Sequence, residues 1–151
     1  IAYIRELIFT QNVLGETMET AVPWSKINQV KSEAHKLIVQ LHKENKLPGK
    51  PFFTSRISKI YHTGVCMYNT IAMSFEGIEN PEDVFTSIEH KMRENFILNG
   101  GSISHHHGVG KLRKDFMKDT ISDSSIEMIR GIKQTQDPKN IFGVKNNIVL
   151  E

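Results

Sequence analysis

The sequence predicts an α+β layer, a sheet that carries helices and keeps one face free. Two observations point there: helical stretches alternate with a hairpin of two long strand-like runs, and the second run has two chemically distinct faces. Residues 2–9 read as the end of a helix, with Ile4, Leu7 and Ile8 on one side and Arg5 elsewhere. Residues 13–20, punctuated by Gly15, read as extended and lead to Pro23. The next helix is the clearest. Ser25 stands where a cap belongs, and Ile27, Val30, Ala34, Leu37, Ile38 and Leu41 recur at helical spacing. Lys43 and Lys46 suit the negative end of its dipole before Leu47-Pro48-Gly49 breaks it. His35 and His42, seven residues apart, read as members of its solvated face.

Residues 52–62 are rich in aromatic and β-branched side chains and predict a strand. Residues 65–76 predict its partner. Val65, Met67, Asn69, Ile71, Met73 and Phe75 form a mostly apolar face, while Cys66, Tyr68, Thr70, Ala72 and Ser74 form a small or polar one. Gly64 between the runs suggests a bulge or a tight connection. Asn80-Pro81-Glu82-Asp83 is a helix start, with a cap, a proline at the first position and acids in the first turn. Val84, Phe85, Ile88, Met92 and Phe96 give that helix its buried stripe, and Asn99-Gly100 ends it. A short basic helix is expected over 111–118, and another over 122–136, stopped by Asp137-Pro138.

The length of 151 residues suits one domain with a real core. Hydrophobic residues at 38% and charged residues at 24% describe an ordinary globular chain. A net charge of +2, without a basic stripe, argues against nucleic acid as a partner. The lone Cys66 excludes an internal disulfide framework. No apolar run approaches the ~18 residues of a membrane span. Ile1-Ala2-Tyr3-Ile4 reads as the middle of an element, which predicts a piece of a longer protein.

Chemistry concentrates at 99–114, where His105, His106 and His107 lie between Gly100-Gly101 and Gly108-Val109-Gly110, followed by Lys111, Arg113 and Lys114. Glycines let another group approach the backbone, and imidazoles supply donors, acceptors and charge that titrates near neutral pH. These features describe a polar site for an anionic or redox partner and do not name a reaction. Adjacent histidines in extended backbone point alternately, so His105 and His107 would share a direction. Metal sites rarely draw three consecutive ligands, so no metal is expected.

As a string, Gly-Gly-Ser-Ile-Ser-His-His-His-Gly-Val-Gly-Lys-Leu-Arg-Lys closely resembles the signature of the alkyldihydroxyacetone-phosphate synthases, flavoenzymes of ether-lipid synthesis. The wider family of FAD-linked oxidases has Gly-Glu-His-Gly where this chain has His-His-His-Gly. The resemblance runs in register from Tyr3-Ile4-Arg5-Glu6-Leu7 through Gly15-Glu16-Thr17, Ala21-Val22-Pro23-Trp24 and Gly64-Val65-Cys66-Met67-Tyr68 to Asp137-Pro138-Lys139-Asn140-Ile141-Phe142-Gly143. It implies that residues 1–151 are the C-terminal, cap and substrate portion of such an enzyme. The fold would be an antiparallel sheet with helices on one face, and the C-terminal helices would return toward a flavin domain outside this chain. No Gly-rich dinucleotide fingerprint occurs here, so most FAD contacts would also lie outside.

The implied reaction has no net redox: the acyl chain of acyl-dihydroxyacetone phosphate is exchanged for a long-chain fatty alcohol. It implies FAD as cofactor, a peroxisomal location, peripheral membrane association and a homodimer. Tyr68 matches the family's general acid/base. A strand tyrosine is ordinarily packing, but this one stands alone among Cys66, Thr70 and Ala72 on the free face. A phenol is a poor base at neutral pH unless cations favour the phenolate, and the histidines are candidates to supply that field. By the same resemblance His105, His106 and His107 contact flavin or substrate. Arg5 binds substrate phosphate through its planar fork, and Thr17 is a small hydroxyl near the site. Cys66 reads as a small buried neighbour, Lys111, Arg113 and Lys114 as phosphate partners or a solvated face, and 144–148 as a tail that completes the site. Two rivals remain: an FAD-linked 2-hydroxy-acid oxidoreductase, disfavoured by the missing Gly-Glu-His-Gly, and a non-catalytic His-rich interaction or metal-binding domain.

Overall fold

The alternating run becomes the central strand of a three-stranded antiparallel sheet. In chain order, the computed structural model has helix α1 (Ala2–Phe9), strand β1 (Val13–Pro23), helix α2 (Ile27–Glu44), strands β2 (Phe52–Ile60) and β3 (Gly64–Ser74), and helices α3 (Pro81–Leu98) and α4 (Asp123–Gln136). It describes residues 2–143, with side chains from Glu6 onward. The Arg5 side chain and the expected tail at 144–148 therefore lie outside the described residues. The strand order is β1-β3-β2. The chain divides into two compact units, Ile1–Ser102 and Ile103–Glu151, where the length alone predicted one domain. No helix among the described residues is long and apolar enough to cross a membrane.

In the first unit, Met18 and Val22 of β1 join Val65, Met67, Ile71 and Met73 of β3 in one buried cluster. Val30, Ala34, Ile38 and Leu41 of α2 and Ile88, Met92 and Phe96 of α3 complete it from the helical layer. Burying each larger side chain contributes about 1.5–3 kcal/mol, so this face holds the unit together. Two polar features interrupt the apolar layer. Asn69, opposite Met18, is fully buried with neither amide atom partnered. Glu89 and Arg93, one turn apart on α3, form a buried ion pair that the periodicity did not suggest.

Several local expectations are corrected. Ser25 does not cap α2, because it already lies inside a 3₁₀ turn (Trp24–Lys26). Asn80 precedes α3 in left-handed backbone (φ 52°) without a side-chain cap, although Pro81, Glu82 and Asp83 fill the first turn as expected. His35 is exposed, but His42 is buried with Nε2 3.3 Å from the Pro48 carbonyl. The chain after α2 doubles back there, Leu47 N–H donating to the His42 carbonyl. Leu7, expected on the inner side of α1, is exposed.

The bulge expected at Gly64 occurs in β2, between Ile57 and Lys59. Gly64 has a different task. A Cβ there would lie 2.1 Å from the Val22 carbonyl oxygen, so only glycine lets β1 close on the hairpin. Trp24 fastens the same corner, its indole N–H reaching the Tyr61 and His62 carbonyls at 3.1 and 3.2 Å.

In the second unit the basic run gives only a 3₁₀ turn (Lys114–Asp119). Phe116 and Met117 are its buried apolar residues, too few to hold a longer amphipathic helix. Helix α4 starts as expected, Ser122 accepting the Ser125 N–H at 3.3 Å. At its other end Asp137 accepts the Ile141 and Phe142 N–H groups at 2.9 and 2.8 Å and pairs with Lys133. These bonds, led by the one from Lys133, hold its carboxyl down at about 2.

Candidate active site on the open face of the sheet

Opposite residues of an antiparallel pair project to the same side, so the register reads out the open face row by row. Tyr68 stands at the centre of one row, between Glu19 on β1 and Arg56 on β2. The Arg56 guanidinium carbon lies 4.8 Å from the centre of the Tyr68 ring, over its face. The next row is Ala21, Cys66 and Lys59. In the other direction come Thr17, Thr70 and Thr54, then Gly15, Ala72 and Phe52. On this face Gly15, Thr54, Arg56 and Phe52 are exposed, Thr17, Tyr68, Thr70 and Ala72 half-buried, and Glu19 and Cys66 buried.

Glu19 is 2% exposed although it belongs to this face. The Cys66 thiol points at its Oε2 from 3.9 Å. Burial pushes the Cys66 thiol up from its ordinary value; Glu19 adds to this and a hydrogen bond with Ser58 opposes it. A thiol held in that direction stays protonated, which makes Cys66 a small neighbour rather than a nucleophile, as the sequence suggested.

Between the end of α1 and the open face lies a cleft of about 320 Å³, lined by Ile8, Phe9, Gly15, Thr17, Thr70 and Ala72. Thr17, half-buried on its wall, donates its backbone N–H to Glu16 Oε1 at 2.7 Å. A Cβ on Gly15 would come within 3.1 Å of the Ile71 carbonyl oxygen, so glycine keeps this floor low.

The glycine pair of the signature works differently from the sequence reading. Gly101 does not leave room for a ligand: a Cβ there would meet Thr20 Oγ1 at 2.3 Å and the Phe96 carbonyl at 2.9 Å. The backbone is instead fastened to β1. Ser102 N–H donates to the Ala21 carbonyl at 3.0 Å, Ala21 N–H to Ser102 Oγ at 2.9 Å, and Thr20 Oγ1 to the Ser102 carbonyl at 2.8 Å.

In the second unit the histidines are not in extended backbone, and the expected alternation is absent. The rings run edge to face in a file, His105 to His106 at 5.4 Å between centres and His106 to His107 at 4.7 Å. His105 Nδ1 and His106 Nδ1 are 3.1 Å apart. Arg113, offered as a phosphate partner or a solvated residue, is buried and donates to the Gly108 carbonyl at 3.1 Å. It is a strut of the loop. Lys111 is exposed and Lys114 half-buried.

Comparison with known proteins agrees with this architecture. Residues 1–145 match the family described as FAD linked oxidases, C-terminal domain. The chain belongs to this family. Within it, the chain is 37% identical over 148 residues to a Caenorhabditis elegans alkyldihydroxyacetonephosphate synthase, covering 98% of this chain and 25% of that protein. It is 32% identical over 143 residues to the Dictyostelium discoideum alkyldihydroxyacetonephosphate synthase, covering 93% and 23%. The chain thus spans about a quarter of the curated relatives it matches. Two solved structures of alkyldihydroxyacetonephosphate synthase share its fold. Their TM-scores are 0.61 and 0.63 at 23% and 24% identity, covering 93% and 92% of this chain and 21% and 22% of theirs.

Of the residues on this face, Tyr68 and Thr17 were named from the sequence, while Glu19 and Arg56 were not. Glu19 was available: in 13–23 the residues Thr17, Glu19 and Ala21 alternate with Met18, Thr20 and Val22. Arg56 was not. Counting back from the turn without a bulge pairs Tyr68 with Ile57, and the extra residue in β2 brings Arg56 there instead.

Proposed function

We infer that this domain serves a flavin-dependent alkyl transferase of ether-lipid synthesis, as the C-terminal cap and substrate portion of a longer enzyme. The enzyme exchanges the acyl chain of acyl-dihydroxyacetone phosphate for a long-chain fatty alcohol. The observation that carries this reading is similarity to alkyldihydroxyacetonephosphate synthases along nearly the whole chain, with the phenol of Tyr68 on the open face. In the exchange one C–O bond to the fatty acid breaks and one to the alcohol oxygen forms. The proton lost by the alcohol balances the departing acid, so no net oxidation occurs.

The donor set suits one wall of a flavin and substrate pocket. Thr17, Thr70 and Tyr68 offer hydroxyls on this face. Bound FAD would supply the electron sink at the substrate carbon, chemistry that belongs to the cofactor. This chain's residues position and move protons. Tyr68 Oη takes the proton from the substrate carbon and returns it. Arg5 holds the phosphate bidentately, and His105, His106 and His107 line the flavin and substrate. The largely apolar cleft beside Thr17 suits a hydrocarbon chain. The same reading carries a peroxisomal location, a homodimer and peripheral membrane association.

The test uses the full-length, flavin-loaded protein with acyl-dihydroxyacetone phosphate and a long-chain alcohol. Release of fatty acid matched by formation of the ether product is expected. Reduction of the flavin by a 2-hydroxy acid, without ether formation, would favour the oxidoreductase rival, and a protein without a flavin absorbance band would favour the non-catalytic one.

A further inference from the structure

We propose that Arg56 is a positioning residue for Tyr68, its guanidinium fixing the ring that carries the proton-moving oxygen. This deepens the functional reading and rests on Tyr68 being the acid/base there. An arginine on an edge strand has an ordinary explanation, since exposed charges blunt edges against pairing with other chains. Its geometry argues otherwise. Arg56 is exposed, yet its guanidinium does not point away from the sheet: it lies over the ring of Tyr68, its partner on the adjacent strand, at 4.8 Å. That distance is inside the ~6 Å reach of a cation–π contact, and arginine adds planar stacking to the charge.

The sheet is built to bring this pair together. The β2 bulge sets the register, so Arg56 rather than Ile57 stands opposite Tyr68. On the other side of the phenol in the same row is the buried carboxylate of Glu19. The row therefore runs carboxyl, phenol, guanidinium across three strands, with Tyr68 in the middle. A tyrosine has two rotatable side-chain angles; a planar cation over one face restricts both and keeps Oη at one height above the sheet. The misplacement of a reacting group by about 1 Å can cost about a hundredfold in rate, so fixing the ring has kinetic value.

The experiment compares Arg56→Gln, Arg56→Lys and Lys59→Gln in the full-length, flavin-loaded enzyme, each alone and with Tyr68→Phe. Arg56→Gln should lower kcat about tenfold or more with KM for acyl-dihydroxyacetone phosphate within about twofold, and Arg56→Lys should fall between it and wild type. Lys59→Gln removes the same charge from the same strand and should stay near wild type. In the Tyr68→Phe background Arg56→Gln should cost nothing further. A second readout is independent of turnover: the Tyr68 ring resonance, assigned by Tyr68→Phe, should move in Arg56→Gln and not in Lys59→Gln. An unchanged kcat, or losses that multiply in the double variant, would overturn the proposal while leaving Tyr68 in place. A Tyr68→Phe enzyme as active as wild type would remove the functional reading of Tyr68, and this proposal with it.

Discussion

Met67 and Tyr68 are neighbours in β3, yet they live in different molecules, energetically speaking. Met67 belongs to the buried cluster under α2 and α3, while Tyr68 stands half-buried between Glu19 and Arg56 on the opposite side. The same contrast runs the length of the strand, with Val65, Met67, Ile71 and Met73 inside and Tyr68, Thr70, Ala72 and Ser74 outside. One face holds the fold and, on the proposed function, the other serves the chemistry, so substitutions one residue apart should be read by different instruments.

The largest expected effect is on the open face. Tyr68→Phe keeps the ring and removes the hydroxyl, so turnover of the full-length enzyme should fall about 10²–10⁴-fold with flavin retained. Thermal stability should change by no more than the ~1 kcal/mol of one hydrogen bond. Turnover within a few-fold of wild type would break the comparison at its most informative point. Met67→Ala should do the reverse. It empties space in a packed core and should cost about 2–5 kcal/mol of unfolding free energy, measured by denaturant titration, while turnover per folded molecule stays within a few-fold.

Asn69 sharpens the comparison, because it is a polar side chain on the apolar face. Its amide is buried without a partner, so Asn69→Leu should raise stability by about 1–3 kcal/mol. A loss of stability instead would mean that the amide is satisfied in solution.

The smallest expected effect belongs to the second unit. The Asp137 carboxyl is held at about 2, below its ordinary 3.8, first by Lys133 and then by the Ile141 and Phe142 amides. A depressed folded value gives stability that is present above the ordinary value and lost as pH falls through the folded one. Acid titration followed by circular dichroism should therefore show a loss between pH of about 4 and about 2 that Asp137→Asn flattens.

The sequence made the two faces of β3 legible because burial on one side imposes a two-residue period, and this period survives in the residue order. The helices were legible for a similar reason, their apolar positions falling at 3.6. What escaped depends on contacts between segments. His42 is buried because the chain after α2 folds back on it, and nothing within the helix pattern signals that return. Arg56 meets Tyr68 only because β2 holds one residue more than its partner needs, and an extra residue leaves no mark on composition. The histidine file was misread because an extended loop was assumed where the backbone bends. Family resemblance supplied the names of the candidate residues; the register shows which neighbours stand beside them.

The attachment of Ser102 to β1 has a practical corollary for protein engineering. Three hydrogen bonds and a glycine that tolerates no Cβ fix the backbone at 101–102, so this is a natural splice point. A loop grafted after Ser102 would start from a backbone already fastened to β1. A chimera joined two residues earlier would cut the fastening itself.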